Sequence, residues 1–408
     1  MSGALGDVRV LDLSRLLPGG FASLLMADLG AGVLKVEDTG VGDYLRWAEP
    51  RYEGVERSAA SALFLALNRG KRSARVNLKD EGGREVLKRL VREHDVLLES
   101  FRPGVLDRLG VGYEVLRQEN PGLVYCAITG YGQDGPYRDR PGHDVNYLGL
   151  NGILGLTGEG DGPPVQAAAQ IADLGGGALM AAFAILAALR ERDRSGEGQV
   201  VDVSMHDGAM SWLALVAGRH LCDGEQPRRG GLELAGALVC YRPYPCADGW
   251  VTLGALEPKF WQAWCRGVGR EDLVERQFDG PESDTRAEVE RVFTERTRDE
   301  WQAFASEHDC CLEPVLDLEE ALDSELTRAR EMVVSLTQPG SAGPVRQLGV
   351  PVKLSRTPGA AQGPGPGLGE HTREVLGSAG YSAEEIASLE QSGAVAGPAE
   401  DTAESFLI

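Results

Sequence analysis

The stretch VRVLDLSRLLPGGFASLLMADLGAGVLKVED (residues 8–38) reads as a strand, a helix and a second strand in immediate succession. Strands that alternate with helices at such short intervals predict an α/β fold with a parallel sheet. The same alternation continues outward through RSARVNLK (72–79), GGREVLKRLVREH (82–94), DVLLESF (95–101) and LVYCAITGYG (123–132).

The loops that follow these strands are where a ligand should bind, because ligands of open parallel sheets lie beyond the carboxyl ends of the strands. These loops are predicted at residues 18–20, 100–103 and 130–132. The first strand-to-helix turn, LPGGF (17–21), lacks the G-x-G-x-x-G pattern that lets a dinucleotide approach a helix. A nicotinamide-dependent enzyme is therefore disfavoured.

A second, smaller domain is indicated by a change in sequence texture near residue 228. A chain of 408 residues exceeds the usual size of one hydrophobic core. Residues 238–256, LVCYRPYPCADGWVTLGAL, alternate like strands, and polar helical segments such as 284–308 follow them. We predict a large domain at 1–227, a smaller α+β domain at 228–330 and a return segment at 331–408.

Composition and charge exclude several classes of protein. Hydrophobic residues make up 42% and charged residues 25% of the chain, which is typical of a folded globular protein. The formal net charge of -21 argues against nucleic-acid binding, which depends on a basic surface. The cysteines lack C-x-x-C spacing, so neither a disulfide framework nor a metal site is expected.

The longest apolar stretch is ALMAAFAILAALRER (178–192), which is too short for a bilayer span and ends in charge. A buried helix is therefore expected there. The N-terminus lacks the basic and apolar regions of a secretory signal. We expect a cytoplasmic protein with no membrane partner.

One basic cluster interrupts this acidic chain, in the sequence NRGKRSAR (68–75). It contains Arg69, Lys71, Arg72 and Arg75. Because the protein as a whole is acidic, an anionic ligand would need local positive charge of this kind.

Two residues in the middle of the chain suit acid–base chemistry. His143 lies in PGHDVNYLGLNG (141–152), a turn that opens a helix, where free N–H groups can hold an oxyanion. The alternative, non-catalytic interpretation is that His143 starts the helix and forms hydrogen bonds with the backbone. Asp173 lies in AAQIADLGGGALM (168–180), and apolar neighbours would raise its pKa and make it a usable acid. Its ordinary explanation is a helix N-cap.

A third candidate, Glu257, follows the apolar strand of VTLGALEPKF (251–260), just before a proline that begins a helix. Its ordinary explanation is an exposed strand end. The sequence around it does not decide between the two.

Several segments succeed one another in a recognisable order along the chain. They are LVYCAITGYGQDGP (123–136), GHDVNYLGLNG (142–152), ADLGGG (172–177), GEGQVVDVSMHDG (196–208), CADGWVTLGALEPKF (246–260), DCCLEPVLDLEEAL (309–322) and GEHTREVL (369–376). Together they resemble the class III CoA-transferase (CaiB/BaiF) superfamily, and within it the α-methylacyl-CoA racemases, from Val8 to about Leu389. The resemblance implies a Rossmann-like large domain built from both ends of the chain, a small domain between them, and an interlocked homodimer.

The resemblance also implies roles for single residues. The catalytic histidine of the racemases falls on His143, the catalytic aspartate on Asp173, and the glutamate that pairs with the histidine on Glu257. The backbone N–H of Asp144 is implied as the donor to an enolate oxygen. Contacts to coenzyme A are implied for Arg102, Val76, Asn77, Leu78, Lys79, Gly142 and Tyr147, with Arg69 and Arg72 as further phosphate partners.

The chain departs from the family pattern at two positions. Asp38 stands where racemases often carry an arginine after the second strand. Ala169 stands where some racemases place an asparagine one helical turn before the aspartate. One phosphate contact and the surroundings of Asp173 are therefore expected to differ from those of the racemases.

The activity that the resemblance implies is inversion of the 2-methyl centre of an acyl-CoA thioester by two-base proton transfer, a reaction of lipid metabolism. No cofactor is expected to be bound permanently, and coenzyme A enters as part of the substrate. The alternative is a class III CoA-transferase that forms an aspartyl-CoA intermediate on Asp173. A non-catalytic CoA-binding protein is a third reading. His143 and Glu257 favour the racemase, because transferases of the superfamily generally lack that histidine and carry a glutamine near the position of Tyr147.

Overall fold

The computed structural model describes residues 3–399, which form two compact units. The first unit contains the chain up to Asn151, Ala169–Trp212, and the chain from Glu325 onward. The second unit contains Gly152–Ala168 and Leu213–Ser324. The first unit thus draws on both ends of the chain, and the second takes in residues well before position 228.

The strands within residues 3–399 belong to three sheets. In chain order they are β1 (Arg9–Asp12), β2 (Gly32–Glu37), β3 (Arg72–Val76), β4 (Val96–Glu99), β5 (Val124–Thr129), β6 (Val200–Ser204), β7 (Tyr241–Cys246), β8 (Gly249–Gly254), β9 (Leu312–Pro314), β10 (Val333–Leu336), β11 (Val345–Leu348) and β12 (Val395–Ala396).

The first unit is built around a sheet with the strand order β12-β3-β2-β1-β4-β5-β6. Its strands are parallel except β12, which pairs antiparallel with β3 at the edge. The order from β3 to β6 is that of a Rossmann-type doubly wound sheet, which reverses direction between β1 and β4. The predicted α/β class with a parallel sheet is therefore confirmed.

Helices alternate with the strands of the first unit, and the second unit has helices of its own. In chain order the α-helices are α1 (Leu17–Asp28), α2 (Ala62–Asn68), α3 (Glu81–Val91), α4 (Val105–Arg108), α5 (Tyr113–Glu119), α6 (Asp144–Leu150), α7 (Ile153–Leu156), α8 (Met180–Ser195), α9 (Met205–Met210), α10 (Ala214–Asp223), α11 (Pro258–Gly267), α12 (Thr285–Phe293), α13 (Arg298–Glu307), α14 (Leu318–Leu322), α15 (Glu325–Ala329), α16 (Thr372–Ser378) and α17 (Ala383–Ser392). A π-helix, Ile171–Leu179, leads directly into α8, and short 3₁₀ helices cover Tyr44–Trp47, Arg57–Ala59, Ser211–Leu213, Glu233–Ala235 and Glu271–Arg276.

The central strands of the first unit are apolar and buried on both faces, as expected for parallel strands that are covered by helices. Every residue of β4 and of β5 is buried. Val86 and Leu87 of α3 are fully buried in the same core cluster as Leu97 of β4. This packing fixes the direction of the strands and therefore the position of the loops at their carboxyl ends.

The second unit has a core dominated by aromatic side chains. Its sheet is antiparallel in the order β7-β8-β9. Trp261 and Trp264 of α11 stack with ring centroids 5.1 Å apart, and Phe293 lies 5.3 Å from Trp264 and 4.8 Å from Trp301. The aromatic and alternating texture of the sequence in this region is explained by this core.

The helical stretch Ile171–Ser195 is long and apolar enough to cross a membrane by length and composition alone. Of its most apolar window, with a mean hydropathy of 1.8, 56% is buried inside the protein. Part of its surface is exposed, since Phe183 is 71% and Leu186 39% exposed, so the buried helix predicted for residues 178–192 is confirmed only in part.

The glycines after Asp173 allow the π-helix to lie against α9, backbone to backbone. A Cβ atom on Gly176 would come 2.6 Å from the Met205 carbonyl oxygen. A Cβ atom on Gly208 of α9 would come 2.0 Å from the Gly176 oxygen. Only glycine permits so close an approach, and the contact fixes the helix start that carries Asp173.

We expect Gly208→Ala to lower the free energy of unfolding by about 2 kcal/mol or more, because the new methyl group can be accommodated only by separating two backbones. The matched control is Gly377→Ala in α16, where an added Cβ meets nothing within 4 Å. There we expect no loss and a gain of up to about 1 kcal/mol, since alanine favours helices. Urea denaturation of the full chain measures both, and equal effects would contradict the packing argument.

Candidate active site

A cavity of about 700 Å³ opens in the first unit at the point where the strand order reverses. The turn after β1 contributes Arg15 and Pro18, the loop after β4 contributes Ser100 and Arg102, and the loop after β5 contributes Gly130. Each of the three loops predicted from the sequence therefore supplies part of the wall. The cavity lies where ligands bind in doubly wound sheets.

The cavity is cationic although the chain is acidic. Arg15, Arg102, Arg138 and Arg140 line it, and Asp173 is the carboxylate among the lining residues. Arg102 is exposed, and no carboxylate within residues 3–399 pairs with it. The guanidinium groups of arginines suit phosphate and carboxylate ligands, so the cavity is adapted to an anionic molecule.

Two of these arginines are held in place by neighbouring side chains. Arg15 forms an ion pair with Asp38 and donates to the Tyr44 hydroxyl at 3.3 Å. Arg140 lies over the Tyr137 ring, 3.7 Å from its centroid. Asp38, where a departure from the racemase pattern is expected, thus orients an arginine at the cavity.

His143 occupies the N-cap position of α6 and lines the cavity. Its N–H donates to the Asn146 side-chain oxygen at 3.0 Å, and its carbonyl accepts from the Asn146 N–H at 2.8 Å. These bonds fix the backbone of the helix start, while the residue is exposed to the cavity. The structural explanation for His143 and the chemical one are therefore compatible.

Asp173 lies in the first turn of the π-helix and lines the same cavity as His143. The N-cap position of that helix is Gln170, so Asp173 is not its cap. The helix start is held by Asp144, whose Oδ1 accepts from the Ala172 N–H at 2.6 Å and the Asp173 N–H at 3.0 Å. The first unit thus brings His143 and Asp173 to one cavity from two helix starts.

The protonation of Asp173 is balanced near neutral pH. Burial, and after it the charge of Asp144, raises the pKa of Asp173 to about 7. Within residues 3–399 no side chain or backbone N–H donates to the Asp173 carboxylate. The group can therefore give or accept a proton at neutral pH without a large free-energy cost.

Tyr147 shapes the cavity wall beneath two glycines. It is buried, and its hydroxyl donates to the Gly142 carbonyl at 2.5 Å. A Cβ atom on Gly130 or on Gly142 would come 2.6 Å from the Tyr147 ring. Both glycines let the loops close over the ring, and burial together with Asp173 raises the pKa of the Tyr147 hydroxyl.

Some of the predicted contacts to coenzyme A lie in this cavity and others do not. Arg102, Gly142 and Tyr147 line it. The other four do not line it and follow the outer strand β3, beside β12: Val76 pairs with Val395, the Asn77 N–H donates to the Ala394 carbonyl at 2.8 Å, Leu78 packs against the core, and Lys79 is exposed. Contact of these four residues with coenzyme A stays a prediction.

The basic cluster at 69–75 is mostly engaged inside the protein. Arg69 is buried and forms an ion pair of 2.6 Å with Asp28, and it also donates to the Leu348 carbonyl at 2.8 Å. Arg72 pairs with Glu374 at 3.0 Å. Neither arginine lines the cavity. Because Arg69 is paired with Asp28 inside the protein, its role here is structural, and its guanidinium group is not free to bind a phosphate.

Glu257 lies in the second unit. It is the exposed N-cap residue of α11, directly after the β8 strand and its short connection. This setting agrees with the predicted strand end before a proline that begins a helix. Its pairing with His143 stays a prediction.

Sequence reasoning missed three of the cavity arginines. Arg138 and Arg140 precede His143 by a few residues in YRDRPGH (137–143), and Arg15 follows the first strand. Their positions at strand ends and beside a candidate catalytic residue were a usable signal, because all predicted loops meet at one edge of the sheet.

The fold and this cavity define a doubly wound α/β protein with a ligand site at its switch point. Comparison with known proteins identifies the family. The sequence profile of CoA-transferase family III matches residues 5–372, and the chain belongs to this family. The curated relatives include enzymes of two kinds, racemases and CoA-transferases.

Three relatives illustrate the likeness. The α-methylacyl-CoA racemase of Homo sapiens is 36% identical over 392 residues, covering 95% of this chain and 96% of that protein. The succinyl-CoA:mesaconate CoA-transferase of Haloarcula marismortui is 35% identical over 387 residues, covering 93% and 97%. The crystal structure of a CAIB/BAIF family protein from Brucella suis is 31% identical, with a TM-score of 0.82 and coverage of 93% and 100%. Overall identity does not separate the two activities.

We expect Asp173→Asn to stabilise the protein more at pH 8 than at pH 5. The pKa of Asp173 is raised on folding from 3.8 to about 7, so stability from this group is lost as pH rises from 3.8 through 7. Asparagine does not titrate, so the variant does not lose this stability. Its gain in the free energy of unfolding over the unsubstituted protein should be larger at pH 8 than at pH 5 by at least about 1 kcal/mol. Urea denaturation of both proteins at each pH measures the difference. A gain that is the same at both would contradict the raised pKa.

Proposed function

We propose that this chain is an α-methylacyl-CoA racemase that inverts the 2-methyl centre of an acyl-CoA thioester. The observation that carries the proposal is that His143 and Asp173 line one cationic cavity. The pKa of Asp173, raised to about 7, supports it because a two-base racemase needs a carboxyl group that both gives and takes a proton.

In the proposed reaction the proton at the α-carbon leaves from one face and another proton arrives on the opposite face. In one direction neutral His143 takes the proton and protonated Asp173 delivers one. In the other direction the ionised Asp173 takes the proton, and the His143 imidazolium delivers a different one to the opposite face. The pair therefore carries one proton in total at the start of each direction.

The enolate oxygen formed between these two steps needs a fixed hydrogen-bond donor. The Asp144 N–H is the proposed donor, and no acceptor within residues 3–399 takes it. Losing such a donor typically costs about 3 kcal/mol or more in the barrier. Glu257 of the small domain would orient His143. The proposal also includes an interlocked homodimer. It further includes a cytoplasmic location.

The substrate carries its negative charge on the coenzyme A phosphates, and the cavity arginines support this assignment. Arg102 and Arg140 are exposed at the cavity and have no carboxylate partner within the described residues. Coenzyme A would enter and leave with the substrate, so no permanently bound cofactor is proposed.

A class III CoA-transferase is the second candidate, because Asp173 could attack a thioester instead of moving a proton. The curated transferases among the relatives are nearly as similar as the racemases. A nucleophile has to be ionised before it attacks, whereas burial of Asp173 disfavours its charged form.

Incubation with a 2-methylacyl-CoA in deuterated water separates the two candidates. We expect deuterium at the α-carbon without any added carboxylic acid, and we expect His143→Asn and Asp173→Asn each to reduce racemisation by at least about 100-fold. Mass spectrometry measures deuterium uptake, and chiral chromatography measures racemisation. Unchanged racemisation in either variant would exclude the two-base mechanism, and a hydroxylamine-trapped acyl group on Asp173 would establish the transferase.

The pH profile gives a second test of the pair. Because the active pair carries a single proton, kcat/KM should be bell-shaped and its limbs should be the same for both enantiomers. A carboxylate nucleophile would instead lose activity only on the acid side of its pKa. Racemisation measured from each enantiomer between pH 5 and pH 9 distinguishes these outcomes.

We expect Arg102→Ala to weaken binding of free coenzyme A by about tenfold, since a hydrogen bond to a charged group contributes roughly 1.5–3 kcal/mol and this one is exposed. The matched control is Arg117→Ala on α5, an exposed arginine that does not line the cavity. Calorimetric titration at low and high salt measures both variants. Equal affinities would remove Arg102 from the binding site.

A further inference from the structure

The carboxylate of Asp144 stands between the two helix starts that carry His143 and Asp173. It follows His143 directly in the chain and is only 5% exposed. Its Oδ1 accepts from the N–H groups of Ala172 and Asp173 at 2.6 and 3.0 Å. Its Oδ2 is buried and has no hydrogen-bond partner among the described residues.

These bonds join α6 to the π-helix by a single side chain. The N-terminal N–H groups of a helix have no partner within it, and here a residue remote in sequence supplies the acceptor. His143, the N-cap of α6, is adjacent to Asp144, and Asp173 is one of the two residues whose N–H it binds. The distance between the two candidate bases is therefore set through Asp144.

We propose that the Asp144 side chain is a positioning residue that fixes Asp173 relative to His143. The inference rests on the proposed function for the roles of those two residues, and it adds a role for the Asp144 side chain beside that of its backbone N–H. Proton transfer depends strongly on such positioning, because a misplacement of about 1 Å can cost roughly 100-fold in rate.

The charge of Asp144 has a second effect on the same site. An acceptor for two N–H groups could equally be a neutral amide oxygen, as in asparagine. A carboxylate adds a negative charge next to Asp173, and this charge raises the pKa of Asp173 beyond the effect of burial. Asp144 therefore both holds Asp173 and favours its protonated form.

Other ionisable groups lie on the elements packed against the π-helix. They are Asp28 on α1, Tyr125 and Cys126 on β5, Tyr147 on α6, Asp202 on β6, and His206 and Asp207 on α9. The helix α8 carries charge only from Arg190 onward, and the cavity adds its arginines and His143. Among these groups Asp144 is the one whose charge acts on the pKa of Asp173. Asp28 is neutralised by its ion pair with Arg69.

The test compares Asp144→Asn, which keeps an acceptor oxygen but loses the charge, with Asp144→Ala, which loses both. The control is Asp207→Asn on α9, which removes an exposed charge from an element that also packs against the π-helix. Asp173 is titrated by carbon-13 NMR of the full chain labelled at aspartate carboxyl groups, with the signal assigned by its loss in Asp173→Asn.

We expect the Asp173 titration to move down by about one pH unit in Asp144→Asn and to stay in place in Asp207→Asn. Exchange of the α-proton should fall by at least about tenfold in Asp144→Ala and less in Asp144→Asn, whose amide oxygen can retain the two bonds. The pH profile of exchange should shift with the titration.

The two proposals fail in different ways. An unchanged Asp173 titration in Asp144→Asn, or full exchange activity in a folded Asp144→Ala, would overturn the role of Asp144 while leaving the racemase intact. A shifted titration in a protein that catalyses no exchange would overturn the racemase and retain the electrostatic coupling between Asp144 and Asp173.

Discussion

The buried ion pair between Asp12 and Lys71 is the interaction on which the cavity depends. Both side chains are fully buried, and Asp12 at the end of β1 also accepts hydrogen bonds from the hydroxyl groups of Ser14 and Ser23. Burial lowers the pKa of Lys71 to about 8. Leaving one buried charge without its partner typically costs about 3–5 kcal/mol, so loss of either residue would destabilise the fold here. The turn at residues 13–16, which joins β1 to α1, and the first turn of α1 are anchored from within by this pair.

The backbone of this turn is strained at Leu16, which lines the cavity. Leu16 has a φ of 63°, a left-handed conformation that costs a residue other than glycine about 1–3 kcal/mol. Its N–H donates to Asp43 at 3.3 Å, and Asp43 pairs with the buried Lys35 at 2.9 Å. The Arg15 N–H donates to the Ser100 hydroxyl at 3.2 Å, across the switch point. Arg15 is thus presented by a preorganised backbone, which reduces the entropy lost when an anionic ligand binds.

The sequence alone predicted the features that depend on local pattern. Alternation of apolar runs predicted the parallel sheet, and its topology brought the predicted loops to one cavity. Charges in the cluster at 69–75 were misjudged because Arg69 and Lys71 are neutralised by Asp28 and Asp12, which lie far away in the chain. A run of basic residues looks the same whether it faces solvent or a buried carboxylate. For the same reason the hydrogen bonds of Asp144 could not be foreseen, since they join residues that no local pattern relates.

The choice between proton transfer and nucleophilic attack depends on the cost of charging Asp173. A nucleophile benefits from donors that stabilise its carboxylate, and Asp173 receives no hydrogen bond within the described residues. It lies instead near a second carboxylate, that of Asp144, which disfavours its ionised form. Such an arrangement hinders attack on a thioester but suits a group that has to be protonated in one direction of a racemisation and ionised in the other. A pKa of about 7 makes the two forms nearly equal in free energy at neutral pH, so neither direction begins from a rare state of the site. The same electrostatics cost the fold stability at this position, and they support the proposed racemase.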